Sequence, residues 1–191
     1  DAMGTETGWD GSDADWNYWR AMSNQKPYLM LVNGDFRAMT HETVHKGMQR
    51  ALAYGLYPSM FNGMDKAKKE RLRYFEMPDL YNRDRDLFKK YVPLVKKVSI
   101  AGWQPLTGAK AGAPDVIVER WGSADKGNLM LTVYNPKTTG KVELTLDAQM
   151  LGLTGTPQVK DIAEDHPVAV DGAKVSLDMQ AQDVAVLEFQ K

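Results

Sequence analysis

Pro27-Tyr28-Leu29-Met30-Leu31-Val32-Asn33-Gly34-Asp35 decides how the first half of the chain is read. The apolar run from Tyr28 to Val32 does not alternate with polar residues, which suits a strand buried on both faces of a parallel sheet. Asn33-Gly34-Asp35 then reads as the turn that ends it. Upstream, Ser12 and Asp15 resemble a helix N-cap with an acid at the third position. They predict a short helix over Asp13–Met22, with Trp16, Trp19 and Arg20 at three- and four-residue spacing. Downstream, Thr40 caps a predicted helix His41–Tyr54, whose Val44, Met48, Ala51, Leu52 and Gly55 trace one face. A second apolar run, Gly55–Phe61, follows. Further helices are expected over Asp65–Phe75 and Asp84–Val98, the latter presenting Leu87, Phe88, Tyr91, Leu94, Val95 and Val98 around a kink at Pro93. Alternating strands and helices of this kind build βα units around a parallel sheet.

The opening Asp1-Ala2-Met3-Gly4-Thr5-Glu6 shows no obvious first element and reads as a turn whose strand is missing. Only two strands are visible in the first half, whereas a closed (β/α) barrel needs eight. Edges and apolar strand faces would be left bare. The expectation is a segment that sits beside missing chain or pairs with another copy.

From Ala101 the pattern changes. Gly102–Leu106 and the Gly- and Ala-rich stretch Thr107–Pro114 read as a connector. Short strands follow over Asp115–Trp121, Leu129–Asn135, Lys141–Asp147, Gln158–Ile162, Val168–Val170, Lys174–Met179 and Val184–Phe189. Lys141–Asp147 alternates cleanly, with Val142, Leu144 and Leu146 inward. Asp171-Gly172 signals a tight hairpin. This spacing predicts an antiparallel sandwich. The fold class is therefore α/β followed by all-β: a partial (β/α)-barrel segment over residues 1–106 and an antiparallel β-sandwich over residues 107–191.

Composition bounds the chemistry. In 191 residues there are 24 Lys and Arg against 25 acids, a net charge of -1 that gives no electrostatic case for nucleic acid or a membrane. There is no cysteine, which excludes thiol catalysis, disulfides and cysteine-ligated metals. No phosphate loop, nucleophile elbow or dinucleotide fingerprint is present, so nucleotide-dependent and serine-hydrolase chemistry lack support.

Arg85-Asp86-Leu87-Phe88-Lys89-Lys90-Tyr91-Val92-Pro93-Leu94-Val95, followed by Ala101-Gly102-Trp103-Gln104-Pro105-Leu106-Thr107, resembles a barrel-to-sandwich junction in glycoside hydrolases. Leu131-Thr132-Val133-Tyr134-Asn135-Pro136 and the closing Asp183–Phe189 are similar to strands of the accessory module in such enzymes, and Ala53–Ser59 to a late barrel strand. The resemblance is architectural. It implies the C-terminal third of a multidomain glycosidase. The sequence itself leaves the compartment open, with a secreted or periplasmic one favoured. The partners of such an enzyme would be a carbohydrate substrate and the remainder of the barrel, supplied by a missing N-terminal chain or another copy, with no cofactor. The alternative is a non-catalytic carbohydrate-binding or scaffolding module.

Barrel enzymes build their sites at the C-terminal strand ends, here the turns Asp1–Trp9, Asn33–Phe36 and Ser59–Gly63. Glycoside hydrolysis needs two carboxyl groups. The catalytic candidates are Glu6, flanked by Gly4 and Gly8, and Asp35, directly after an apolar strand; Asp1 reads as a solvated turn acid. Trp9 is the candidate sugar platform, whereas Trp16 and Trp19 read as filling between helix and sheet. Asn33 and His41, at the start of its helix, complete the expected substrate-binding set. Asp10, Asp13, Asp15 and Asn17 fail the calcium-loop pattern, with Tyr18 where Gly is required and Asn24 where Glu is required. His41 and His45 have zinc spacing but no third ligand, so no metal is expected. The basic stretch Lys66–Arg73 is interleaved with acids and reads as a solvated face.

Overall fold

The computed structural model describes residues 2–23, 26–65 and 70–190. Asp1, and Lys66, Lys68 and Lys69 of the basic stretch, lie outside these.

The first half is a four-stranded sheet backed by helices. Strands β1 (Met3–Thr7), β2 (Tyr28–Gly34) and β3 (Tyr57–Asp65) run parallel, and β4 (Glu70–Arg73) closes the order β1-β2-β3-β4 antiparallel to β3. Helix α1 (Asp13–Ser23) links β1 to β2, and α2 (His41–Ala53) links β2 to β3. After β4 come a 3-10 turn (Tyr74–Glu76), the short α3 (Pro78–Arg83) and α4 (Arg85–Ala101), which continues through Pro93.

Both helix starts follow the sequence logic. Ser12 Oγ and N–H donate to Asp15 Oδ2 (2.7 and 2.8 Å), and Thr40 Oγ1 accepts the Thr43 N–H (3.1 Å). The Ser12 bonds hold the Asp15 carboxyl below its ordinary pKa.

Three expectations for the first half are corrected. Met3–Thr7 is itself a strand, paired from Met3↔Tyr28 to Thr7↔Val32. Gly4 and Glu6 are poor strand formers, and only the partner strand makes the segment extended. Glu6 therefore sits on a strand and not on a turn beyond one. The helix expected over Asp65–Phe75 is absent among the described residues. Instead β3 runs on through the expected Ser59–Gly63 turn, and Glu70–Arg73 pairs back on it from Asn62↔Arg73 to Asp65↔Glu70. The residues there favour helix individually, but they offer no apolar stripe for a helix to bury, and pairing decides.

The second half is two antiparallel sheets. One has the order β11-β10-β14-β8-β7-β5, from β5 (Trp103–Gln104), β7 (Ile117–Trp121), β8 (Met130–Asn135), β10 (Gln158–Asp161), β11 (His166–Val168) and β14 (Asp183–Gln190). The other has the order β12-β13-β9-β6, from β6 (Ala109–Ala111), β9 (Gly140–Leu146), β12 (Val170–Asp171) and β13 (Lys174–Met179). A short helix, α5 (Ala148–Leu151), follows β9. Part of the expected connector is thus strand: β5 and β6 both pair. The tight hairpin sits one residue later than the Asp171-Gly172 signal, with Gly172 (φ +58°) and Ala173 as its loop.

Two cores result. Between the sheets lie Leu131, Val133, Val142, Leu144, Val175, Leu177 and Leu187. The outer face of the six-stranded sheet is not solvated; its Trp121, Met130, Tyr134, Val184 and Val186 join Trp16, Met48, Leu52, Tyr91 and Val95 in the core of the first half. Close approach at this seam requires glycine at 55, which has φ +63° and whose added β-carbon would lie 2.3 Å from the Trp121 ring. Thr132 Oγ1 accepts from Trp121 Nε1 (3.0 Å) and donates to the Ala53 carbonyl (2.6 Å).

Candidate functional site

Strand alternation sorts the polar residues at the end of the parallel strands. Tyr28, Met30 and Val32 are buried against the helices. Leu29, Leu31 and Asn33 occupy the opposite face. Glu6 pairs in register with Leu31, which puts it on that face beside Asn33. Asn33 Nδ2 approaches Glu6 Oε2 at 3.5 Å, a long contact between a half-buried amide and an exposed carboxylate. Asp35 stands one residue beyond β2. Its carboxylate accepts the Ala38 N–H (3.3 Å), and its carbonyl accepts those of Ala38 and Met39 (3.0 and 3.2 Å). One of its oxygens thereby shapes the turn.

Trp9 leaves the end of β1 and lies against α2. A β-carbon on Gly47 would meet its ring at 2.2 Å, so only glycine at 47 admits the indole. Arg50 fixes the same turn from below. Its Nη1 reaches the Trp9 carbonyl (3.5 Å), its Nη2 the Asp13 carboxylate (2.6 Å), and its guanidinium carbon lies 4.6 Å from the Trp16 ring centroid. Asp13, at the start of α1, is thus an ion-pair partner. Trp16 is fully buried, with Trp19 and Tyr54 at centroid distances of 5.7 and 5.5 Å.

A cleft of about 450 Å³ opens between the β1–α1 turn, α2 and the sandwich. Trp9 and Asn33 line it together with Lys46, Arg50, Tyr134 and Gln182. The structure therefore brings Trp9, Asn33 and Glu6 into one neighbourhood, with Asp35 on the adjoining turn. His41 turns the other way: its Nε2 is 3.1 Å from both carboxylate oxygens of Asp86 on α4. His45 likewise faces α4, 2.6 Å from the Tyr91 hydroxyl, and burial followed by the charges of Lys90 and His41 lowers its pKa. Among the described residues, no group of three or more His, Asp or Glu is placed to hold a metal ion. No helix among them is long and apolar enough to cross a membrane.

Arg50, Tyr134 and Gln182 were not singled out by the sequence. Arg50 reads there as one more charge on a helix. Tyr134 and Gln182 reach the cleft only through the packing of the two halves.

No protein-family model matches the chain, and no curated protein sequence matches it. Solved structures do resemble it. One is an alpha-amylase from Geobacillus thermoleovorans, at 14% identity and TM-score 0.55, covering 93% of this chain and 42% of that one. Another is a maltogenic alpha-amylase from Thermotoga neapolitana, at 16% identity and TM-score 0.54, covering 92% and 45%. A third is alpha-galactosidase I from Mortierella vinacea, at 12% identity and TM-score 0.53, covering 98% and 52%. All three are glycoside hydrolases, and the chain spans about half of their length or less. The likeness is one of fold, and it takes in both the mixed α/β half and the antiparallel half.

Proposed function

We propose that the chain is the C-terminal part of a carbohydrate-active hydrolase acting on an oligosaccharide or polysaccharide. Residues 1–106 contribute the last units of a (β/α) barrel, and residues 107–191 form its accessory sandwich. The observation that carries this reading is the uncovered face of the parallel strands. Parallel sheets are normally covered on both faces. Here Leu29 (37% exposed) shares the face opposite the helices with Leu31 and Glu6. Further barrel strands would enclose that face, with Glu6 at the rim where barrel sites form.

In this reading Glu6 is one of the two carboxyl groups that glycoside hydrolysis requires. Asn33 orients it or holds a sugar hydroxyl. Asp35 is either the second carboxyl group or a ligand for a substrate hydroxyl, and Trp9 is an aromatic wall against which a sugar ring packs.

The test uses the full-length protein and a panel of aryl glycosides. Glu6→Gln retains shape and loses the titrating proton, so turnover should fall by about 100- to 10,000-fold with an unchanged circular dichroism spectrum. Asp35→Asn should raise KM more than it lowers kcat if Asp35 holds a hydroxyl. Near-normal turnover in Glu6→Gln removes the catalytic assignment. Sugar binding by a protein that hydrolyses no glycoside would favour a non-catalytic binding module.

A further inference from the structure

The cleft beside Trp9 is built by both halves of the chain, and several residues that line it carry a buried polar atom without a partner. Among the described residues, Trp9 Nε1, Arg50 Nε, Asn33 Oδ1 and Gln182 Oε1 are buried without a hydrogen-bond partner. Folded proteins leave few such atoms; four of them belong to residues that line this one cleft. Two are donors and two are acceptors. The cationic groups nearby are already neutralised, Lys46 by Glu42 and Arg50 by Asp13, each at 2.6 Å. A phosphate or carboxylate would have to compete with those acids. A neutral molecule with several hydroxyls, each able to donate and accept, matches the lining.

Gln182 adds an independent observation. It is the third residue of the turn Gln180–Asp183, closed by Asp183 N–H to the Gln180 carbonyl (3.2 Å) and Gln180 N–H to Asp183 Oδ2 (2.8 Å). Its φ is +70°, the left-handed region that turns of this kind reserve for Gly or Asn. A glutamine held there goes against local preference, and such departures gather at ligand sites. Its backbone N–H is bound to the Asn135 carbonyl (2.6 Å), so the side-chain amide is the part left for the cleft.

We propose that this cleft binds a neutral sugar unit and that Gln182, supplied by the sandwich, determines its specificity alongside Asn33 and Trp9. The proposal rests on the carbohydrate reading above, and extends it by making the accessory sandwich part of the binding site.

The experiment is sugar binding by saturation-transfer NMR on the full-length protein, with methyl α-glucoside, methyl α-galactoside and glucuronate as probes. Thermal melts are run in parallel. Gln182→Gly should weaken the neutral glycosides roughly 3- to 10-fold, the loss of one hydrogen bond. It should leave Tm unchanged or raise it, because glycine accepts the backbone conformation. Gln182→Asn keeps an amide on a shorter arm and should fall between. The proposal is overturned if no neutral glycoside binds, if Gln182→Gly binds like the wild type, if its binding and Tm fall together, or if glucuronate binds more tightly than the neutral probes. The two readings separate cleanly. Loss of turnover in Glu6→Gln with no effect of Gln182→Gly on affinity or KM sinks this inference alone. Gln182-dependent affinity with full turnover in Glu6→Gln sinks only the catalytic assignment.

Discussion

Asp161 shows how a single buried charge is tolerated. It is 4% exposed, and its Oδ1 accepts the N–H groups of Val186 (3.0 Å) and Ala163 (2.9 Å). Burial nevertheless raises its pKa above 3.8, with those two bonds pulling it down. An acid whose folded pKa is raised contributes stability that is fully present below its unfolded value and is lost as pH rises through the folded value. At neutral pH the charge is therefore a net cost. Asp161→Asn keeps an oxygen acceptor and removes the charge, so its Tm should exceed the wild type at pH 7 and converge with it below pH 3.8. Asp161→Ala strands two buried donors and should lose about 1–3 kcal/mol. A lower Tm for Asp161→Asn at pH 7 would contradict the account. Such residues mark the reach of sequence reading. Trp9 and Asn33 are legible as polar or aromatic groups beside an apolar run. Nothing local to Gln182 or Tyr134 announces that they meet Trp9, which lies more than a hundred residues away.

Among the elements, those with a strong internal pattern were legible. Helix α2 and strand β9 carry their apolar periodicity in full, and β2 its unbroken run. β1 and β4 were not legible, because their extended form is imposed by neighbours. Strand β8 is the instructive case. All of Met130–Asn135 is buried, with Leu131 and Val133 toward the second sheet and Met130 and Tyr134 toward the helices. Its run of apolar residues signals two covered faces. The same seam carries a buried ion pair, Arg20 of α1 with Glu119 of β7. Trp103 Nε1 also donates to Glu119 (2.7 Å), and the guanidinium lies 4.3 Å from the Trp103 ring centroid. Burial pushes the Arg20 pKa down to about 10, so it remains charged at neutral pH. Glu119→Ala should cost about 3–5 kcal/mol by leaving that charge buried and unpaired, and Glu119→Gln less. The double change Arg20→Met with Glu119→Leu should recover most of the loss, since a buried pair barely exceeds its desolvation cost. Denaturant melts decide it; a loss under 1 kcal/mol for Glu119→Ala would mean that the pair is solvated.

At the scale of the molecule, the sandwich owns one complete core and half of another. A chain of residues 103–191 keeps the core between its sheets, including Leu131, Leu144, Val175 and Leu187. It loses the helices that cover Trp121, Met130, Tyr134, Val184 and Val186. Burying a large apolar side chain is worth about 1.5–3 kcal/mol, and a small domain has only about 5–15 kcal/mol of net stability. Exposing five such residues on one sheet face is therefore a large perturbation, and an exposed apolar face of this kind promotes association. The truncated sandwich should still melt cooperatively, at a lower temperature than the same module in the full-length protein. It should also bind a hydrophobic dye and sediment as concentration-dependent oligomers. Trp121→Gln with Met130→Thr, two outward changes on that face, should reduce the association while leaving the inter-sheet core intact. A truncated chain that stays monomeric at every concentration, with the stability it has in the full-length protein, would show that the helical half merely rests on the sandwich. The two halves would then be separable units, and the shared core would contribute little to holding Gln182 and Tyr134 at the cleft.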